Sequence, residues 1–114
     1  MVMDKLKEYG IDYDTAMQRC VNNEALYIKL AKKIPETSQF DELKKALDEK
    51  DLDKSFELAH ALKGIVSNLA ITPLEKPISE MTELLRARED IDYSGYIDEM
   101  DKALNKFCDI LSEA

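Results

Sequence analysis

Glycine and proline are nearly missing from this chain: there are three of each in 114 residues, and long stretches carry neither. Those stretches are rich in Ala, Leu, Glu and Lys, the residues that lose least on entering a helix. Their apolar residues recur every three or four positions, and no run alternates apolar with polar. No Asn-Gly or Asp-Gly pair marks a hairpin. The chain is thereby confined to helices that face one another along apolar stripes.

Start and stop signals place the helices. A first segment, about Met3–Tyr9, breaks at Gly10, and a short one, about Asp14–Cys20, stops near Asn22-Asn23. The next runs from there to Ile34, with Leu26, Leu30 and Ile34 on one face, and Pro35 ends it. Ser38 is the expected N-cap of a helix that carries Phe40, Leu43, Ala46 and Leu47 and closes near Lys50. Asp53 is the expected cap of a helix from Lys54 to about Ala70. In Thr72-Pro73-Leu74-Glu75, Thr72 caps, Pro73 takes the first helical position and Glu75 completes a capping box. That helix carries Leu74, Ile78, Met81 and Leu85, with Pro77 expected near its first turn. Ser94 or Asp92 caps the last helix, whose seam is Ile97, Met100, Leu104, Phe107 and Leu111. Short loops favour antiparallel neighbours, so the expected fold is all-α: an up-down antiparallel four-helix bundle with short extra N-terminal helices, one domain over 1–114.

Composition narrows the function. Apolar residues at 45% and charged residues at 35% describe a chain that buries a core and solvates its surface. Sixteen Lys and Arg against 24 Asp and Glu give a net charge of −8, unfavourable for binding nucleic acid or anionic lipid. No apolar run is long enough to span a membrane, and Met1–Gly10 lacks the apolar core of a signal peptide. A cytoplasmic location is expected, with Cys20 and Cys108 as two reduced thiols.

The only histidine sits in the helix from Lys54 to Ala70. With Ala59 at zero on a wheel of ~100° per residue, Leu58, Leu62, Ile65, Val66 and Leu69 fall between roughly 240° and 340°, the expected core face. His60 falls near ~100°, Ser67 near ~80°, Gly64 near ~140°, Lys63 near ~40° and Phe56 near ~60°. His60 and Glu57 therefore point outward, and Phe56 lies between the core and His60. Gly64 costs the helix about 1 kcal/mol relative to Ala, so it needs a reason. It removes the side chain one turn beyond the imidazole, where a phosphate or a partner's backbone could approach. Neutral imidazole is a nucleophile. Lys63 could place a cation beside a transferred phosphoryl group.

The run Ala59-His60-Ala61-Leu62-Lys63-Gly64, followed by Asn68-Leu69-Ala70, resembles the signature of histidine-containing phosphotransfer (HPt) domains. Gly10-Ile11-Asp12, Glu24-Ala25-Leu26-Tyr27, and Leu43 with Ala46-Leu47 before Asp51 are similar to the family's pattern upstream, and Leu74 and the last amphipathic helix fit it downstream. Ala70 stands where the family usually has Gly, Pro77 lies in a helix that usually lacks it, and Thr82 aligns where some members carry Gln. The resemblance implies a four-helix bundle acting in a two-component phosphorelay. His60 would take a phosphoryl group from a receiver-domain aspartyl phosphate and pass it to another receiver. Lys63 would steady the phosphoryl, while Gly64, Ser67 and Phe56 would belong to the docking surface. Response-regulator receivers are the implied partners, with a hybrid histidine kinase as a further one. The chain is expected to be a monomer that binds neither nucleic acid nor membrane.

The sequence has no glycine-rich phosphate loop or other nucleotide motif, so ATP use is not expected. The expectation is a phosphocarrier and not an enzyme, with no cofactor or metal of its own and with Mg²⁺ held by the partner receiver. Two rivals come from other classes. Glu57-Leu58-Ala59-His60 matches half of a di-iron bundle's ligand set, but a single histidine cannot supply the second half. The other is a helical protein-interaction module that keeps this fold and has lost phosphotransfer. Phosphate uptake from a phosphorylated receiver separates it from a carrier.

Overall fold

Seven helices and no strand make up the described residues, 2–113, of the structure, which is a computed structural model. They are α1 (Val2–Tyr9), α2 (Tyr13–Arg19), α3 (Glu24–Ala31), α4 (Gln39–Asp48), α5 (Leu52–Asn68), α6 (Thr72–Arg86) and α7 (Ser94–Leu111). The four longest form the expected bundle: α4 packs on α5, α5 on α6, and α6 on α7. A Lys44–Asp101 ion pair at 2.8 Å joins α4 to α7. The helix α1 lies along α7, where the Tyr9 ring meets Phe107 at 5.7 Å and the Tyr9 hydroxyl donates to the Ala103 carbonyl at 2.8 Å.

The core is the sum of the helical stripes. Leu43, Leu62, Val66, Leu74, Ile78, Met81, Leu85, Met100 and Phe107 have essentially no exposed surface. Each side chain of this size contributes about 1.5–3 kcal/mol by leaving water. Leu111 is buried with them, while Ile97 and Leu104 pack partly buried at the seam's edge. Tyr27 is also fully buried, and its hydroxyl donates to the Leu69 carbonyl at 2.7 Å, tying α3 to the end of α5. Burial pushes the Tyr27 phenol well above its ordinary pKa.

Several boundaries depart from expectation. α3 stops at Ala31 and not at Ile34, because the chain tightens into i→i+3 turns before Pro35, which has no N–H to continue a helix. Its fully buried residues are Tyr27 and Ala31, with Leu26 and Leu30 half-buried beside them. Ser38 does stand at the N-cap of α4, but its side chain makes no capping bond. Asp51, not Asp53, caps α5: its carboxylate accepts from Lys54 N at 3.1 Å. Asp53 falls inside the first turn.

The α5–α6 connection explains the misplaced Thr72 cap. Ile71 N donates to Val66 O and Ala70 N to Ser67 O, both at 3.0 Å, a Schellman ending for α5. Ile71 is at once the N-cap of α6, its carbonyl accepting from Leu74 and Glu75. Thr72 is thus the first helical residue, and no side chain caps α6. Pro77 lies inside α6, buried, past the first turn where it was expected. At α7 the N-cap is Tyr93, yet Asp92 satisfies Ser94 N at 2.9 Å, so one of the two expected caps acts from one position further out.

Four helices end on a left-handed residue that is not glycine: Val21, Lys50, Ala70 and Arg88 have φ of 53°, 55°, 53° and 56°. Ala70 occupies the position where the HPt signature has Gly, and its φ shows why Gly is favoured there.

Candidate functional site

The helix α5 has two sharply different faces. Ser55, Ala59, Leu62 and Val66 are buried, whereas Glu57, His60, Ala61 and Gly64 are exposed. The outward placement of His60 and Glu57 agrees with the helical wheel. Ile65 does not: expected in the core, it is 36% exposed and opens on a shallow groove with Leu30, Ile34 and Leu69. It lies at the margin of the apolar arc, where α5 no longer faces a neighbouring helix squarely.

A side-chain carbon placed on Gly64 would meet nothing within 4 Å. Gly64 is therefore not a close packing point between helices. It keeps the surface clear one turn beyond His60. Lys63 is half-buried and makes no ion pair among the described residues. Ser67 is half-buried, and its carbonyl accepts a hydrogen bond from the Arg19 guanidinium.

Phe56 is half-buried, and its ring stacks on the His60 imidazole with centroids 5.6 Å apart and planes 17° apart. The guanidinium carbons of Arg86 and Arg88 lie 5.0 and 4.9 Å from the Phe56 centroid. Arg88 also donates to Asp53 at 2.6 Å and to the Leu85 carbonyl at 2.7 Å, and Arg86 pairs with Glu83 at 3.1 Å. Sequence reasoning placed Phe56 here and missed all three arginines. Phe56, one turn before His60, was the available signal, but the arginines reach the site only through the registers of α6 and α2.

Thr82, aligned with a Gln found in some HPt domains, is fully buried, and its hydroxyl donates to the Ile78 carbonyl of its own helix at 2.7 Å. Cys20 is buried and Cys108 half-buried; both are free thiols. No three His, Cys, Asp or Glu side chains cluster to hold a metal among the described residues, and no described helix is long and apolar enough to cross a membrane. A cavity of about 660 Å³ lies between the end of α4 and the start of α7, lined by Leu47, Leu52, Ile91 and Ile97 and by none of the residues around His60.

The fold and the site together define a class: a helical bundle that presents a single imidazole on an open helix face. A family model described as Hpt domain matches residues 37–110, more than half of the chain, and the protein belongs to that family. Its members are phosphocarriers, not enzymes; they act in phosphorelays with receiver domains and histidine kinases. The matched span covers α4 to α6 and nearly all of α7, while the likeness at Gly10-Ile11-Asp12 and Glu24–Tyr27 lies outside it. No curated protein and no solved structure matches the chain.

Proposed function

We propose that His60 is the phosphoryl acceptor, taking the group from an aspartyl phosphate on one receiver domain and giving it to another. The observation that carries this is the exposed imidazole beside the open surface at Gly64. The lone pair of one ring nitrogen attacks phosphorus in line with the aspartyl oxygen. The N–P bond forms as the O–P bond breaks, the aspartate leaves as a carboxylate, and the other ring nitrogen keeps its proton. Transfer back to a receiver reverses these steps.

Such a transfer depends on alignment and charge neutralisation more than on acid–base groups. Phe56 limits the swing of the imidazole, Lys63 offers an ammonium to the phosphoryl oxygens, and Gly64 admits the partner's backbone. A divalent cation held by the receiver would neutralise negative charge on the phosphoryl group as it moves. The test is phosphate uptake from a labelled phospho-receiver. The wild type should acquire acid-labile phosphate, and His60→Gln should acquire none while keeping its helix content. Label on the His60→Gln protein would sink the assignment. A wild type that docks receivers but takes up no phosphate would be an interaction module.

A further inference from the structure

The chain has three arginines and thirteen lysines. The lysines are spread over six of the seven helices and over loops, whereas every arginine borders the exposed strip of α5. Arg86 and Arg88 sit on Phe56, one turn before His60; Arg19 sits on the Ser67 carbonyl, two turns after it. Phe56 and Ser67 are eleven residues apart, so the two cationic flanks are separated by about 16 Å along the helix axis. His60, Lys63 and Gly64 lie between them.

We propose that these arginines form two flanks that select receiver domains carrying carboxylates on both sides of the surface that meets His60. The proposal rests on the carrier reading above and adds the basis of partner choice. Charge complementarity is the argument. Arg19, Lys63, Arg86 and Arg88 bring four cationic side chains to the margins of this one strip, among Asp53, Glu57 and Glu83, on a chain of −8 overall. The guanidiniums are already held, on a ring or on a carbonyl, so a partner carboxylate finds a preorganised planar fork. Their present pairs yield easily: Asp53 is 84% exposed opposite Arg88, and exposed pairs of this kind contribute about 0–1 kcal/mol. An ordinary interface covers about 800 Å² per partner, wide enough to include both flanks. Nucleic acid and anionic lipid also favour arginine, but the net charge of the whole chain repels them at long range.

Binding is measured with the His60→Gln protein, so that docking is read without transfer. The probes are purified receiver domains encoded in the same genome, at 50 and 500 mM NaCl. Arg19→Gln and Arg88→Gln should each slow association about threefold at 50 mM NaCl, and the double variant about tenfold. The differences should close at 500 mM NaCl, where screening is short-ranged. Lys102→Gln with Lys106→Gln, the same charge change on exposed positions of α7, should alter association less than about twofold. Circular dichroism melts confirm that each variant is folded. An equal loss with the lysine control overturns the proposal, as does an unaltered rate in the arginine double variant. A protein that binds none of the receivers also overturns it. So does vesicle binding, in equimolar phosphatidylserine and phosphatidylcholine, that the arginine substitutions abolish. Normal docking by a wild type that takes up no phosphate sinks the carrier reading and leaves the arginine flanks standing.

Discussion

The ring of Phe56 lies nearly parallel to the imidazole of His60, 5.6 Å away, and two guanidiniums rest on that same phenyl ring. Residues four apart on a helix are natural neighbours, so the stack follows from spacing alone. It leaves the imidazole with fewer rotamers to lose on docking.

Phe56→Leu keeps the apolar bulk at the core edge and removes the stacking face. Phosphotransfer should slow several-fold while the melting temperature changes little. Ring-current shielding of the His60 carbon-bound protons should also disappear, moving their NMR signals downfield. Unchanged shifts and rates would remove Phe56 from the site.

Lys63→Ala tests charge at the phosphoryl group. A half-buried lysine without an ion pair among the described residues adds little to folding, but its ammonium acts directly on developing negative charge. Transfer should fall about tenfold or more in both directions, with stability within about 0.5 kcal/mol of the wild type. Wild-type kinetics in the alanine variant would refute the role.

Gly64 separates access from packing. With nothing within 4 Å of an added side-chain carbon, Gly64→Ala should stabilise the protein by up to about 1 kcal/mol. Gly64→Phe should stay folded and lose receiver docking and transfer, because its ring would lie one turn from His60. A docking-competent Gly64→Phe protein would contradict the access argument.

Ala70→Gly and Val21→Gly test the left-handed helix ends. Left-handed backbone costs a residue with a Cβ about 1–2 kcal/mol, offset in part by glycine's greater unfolded-state entropy. Each substitution should raise stability by up to about 1 kcal/mol, with Val21 gaining more because it is β-branched and 83% exposed. Urea titrations of the two variants check this.

Asp92 gives a pH signature. Its hydrogen bonds from Ser94 hold its carboxyl below the usual carboxylate range. A carboxylate with a depressed folded pKa adds stability that is fully present above its unfolded value, near ~3.9, and lost as pH falls through the folded one. Asp92→Ala should melt lower than the wild type at pH 7, and the two melting curves should converge as the pH falls through the folded-state pKa.

The stripes of α4 to α7, the outward histidine and the small residue one turn on were legible because helical periodicity is local. Three things were not. Ile65 sits at the edge of the apolar arc, where the presence or absence of a neighbouring helix decides burial. The caps of α5 and α6 moved because Asp51 and Ile71 each serve the end of one helix and the start of the next. The arginines meet Phe56 and Ser67 across 30 to 48 positions of sequence, a distance over which no pattern in a single helix reports.

The three-residue joint of Leu69, Ala70 and Ile71 acts as a ruler for the whole site. The Leu69 carbonyl is held by Tyr27, the Ala70 carbonyl by Asp12 N, and the Ile71 N–H by Val66, so the joint has no slack. Counting outward from it along two antiparallel rods brings Phe56 level with Arg86. One added or deleted residue in either rod between the joint and the site would advance that rod by about 1.5 Å and turn it by about 100°. The phenyl ring and its guanidiniums would then miss each other, although every residue of the His60 motif remained in place. In this protein the number of residues from joint to site is as much a part of the site as the histidine itself.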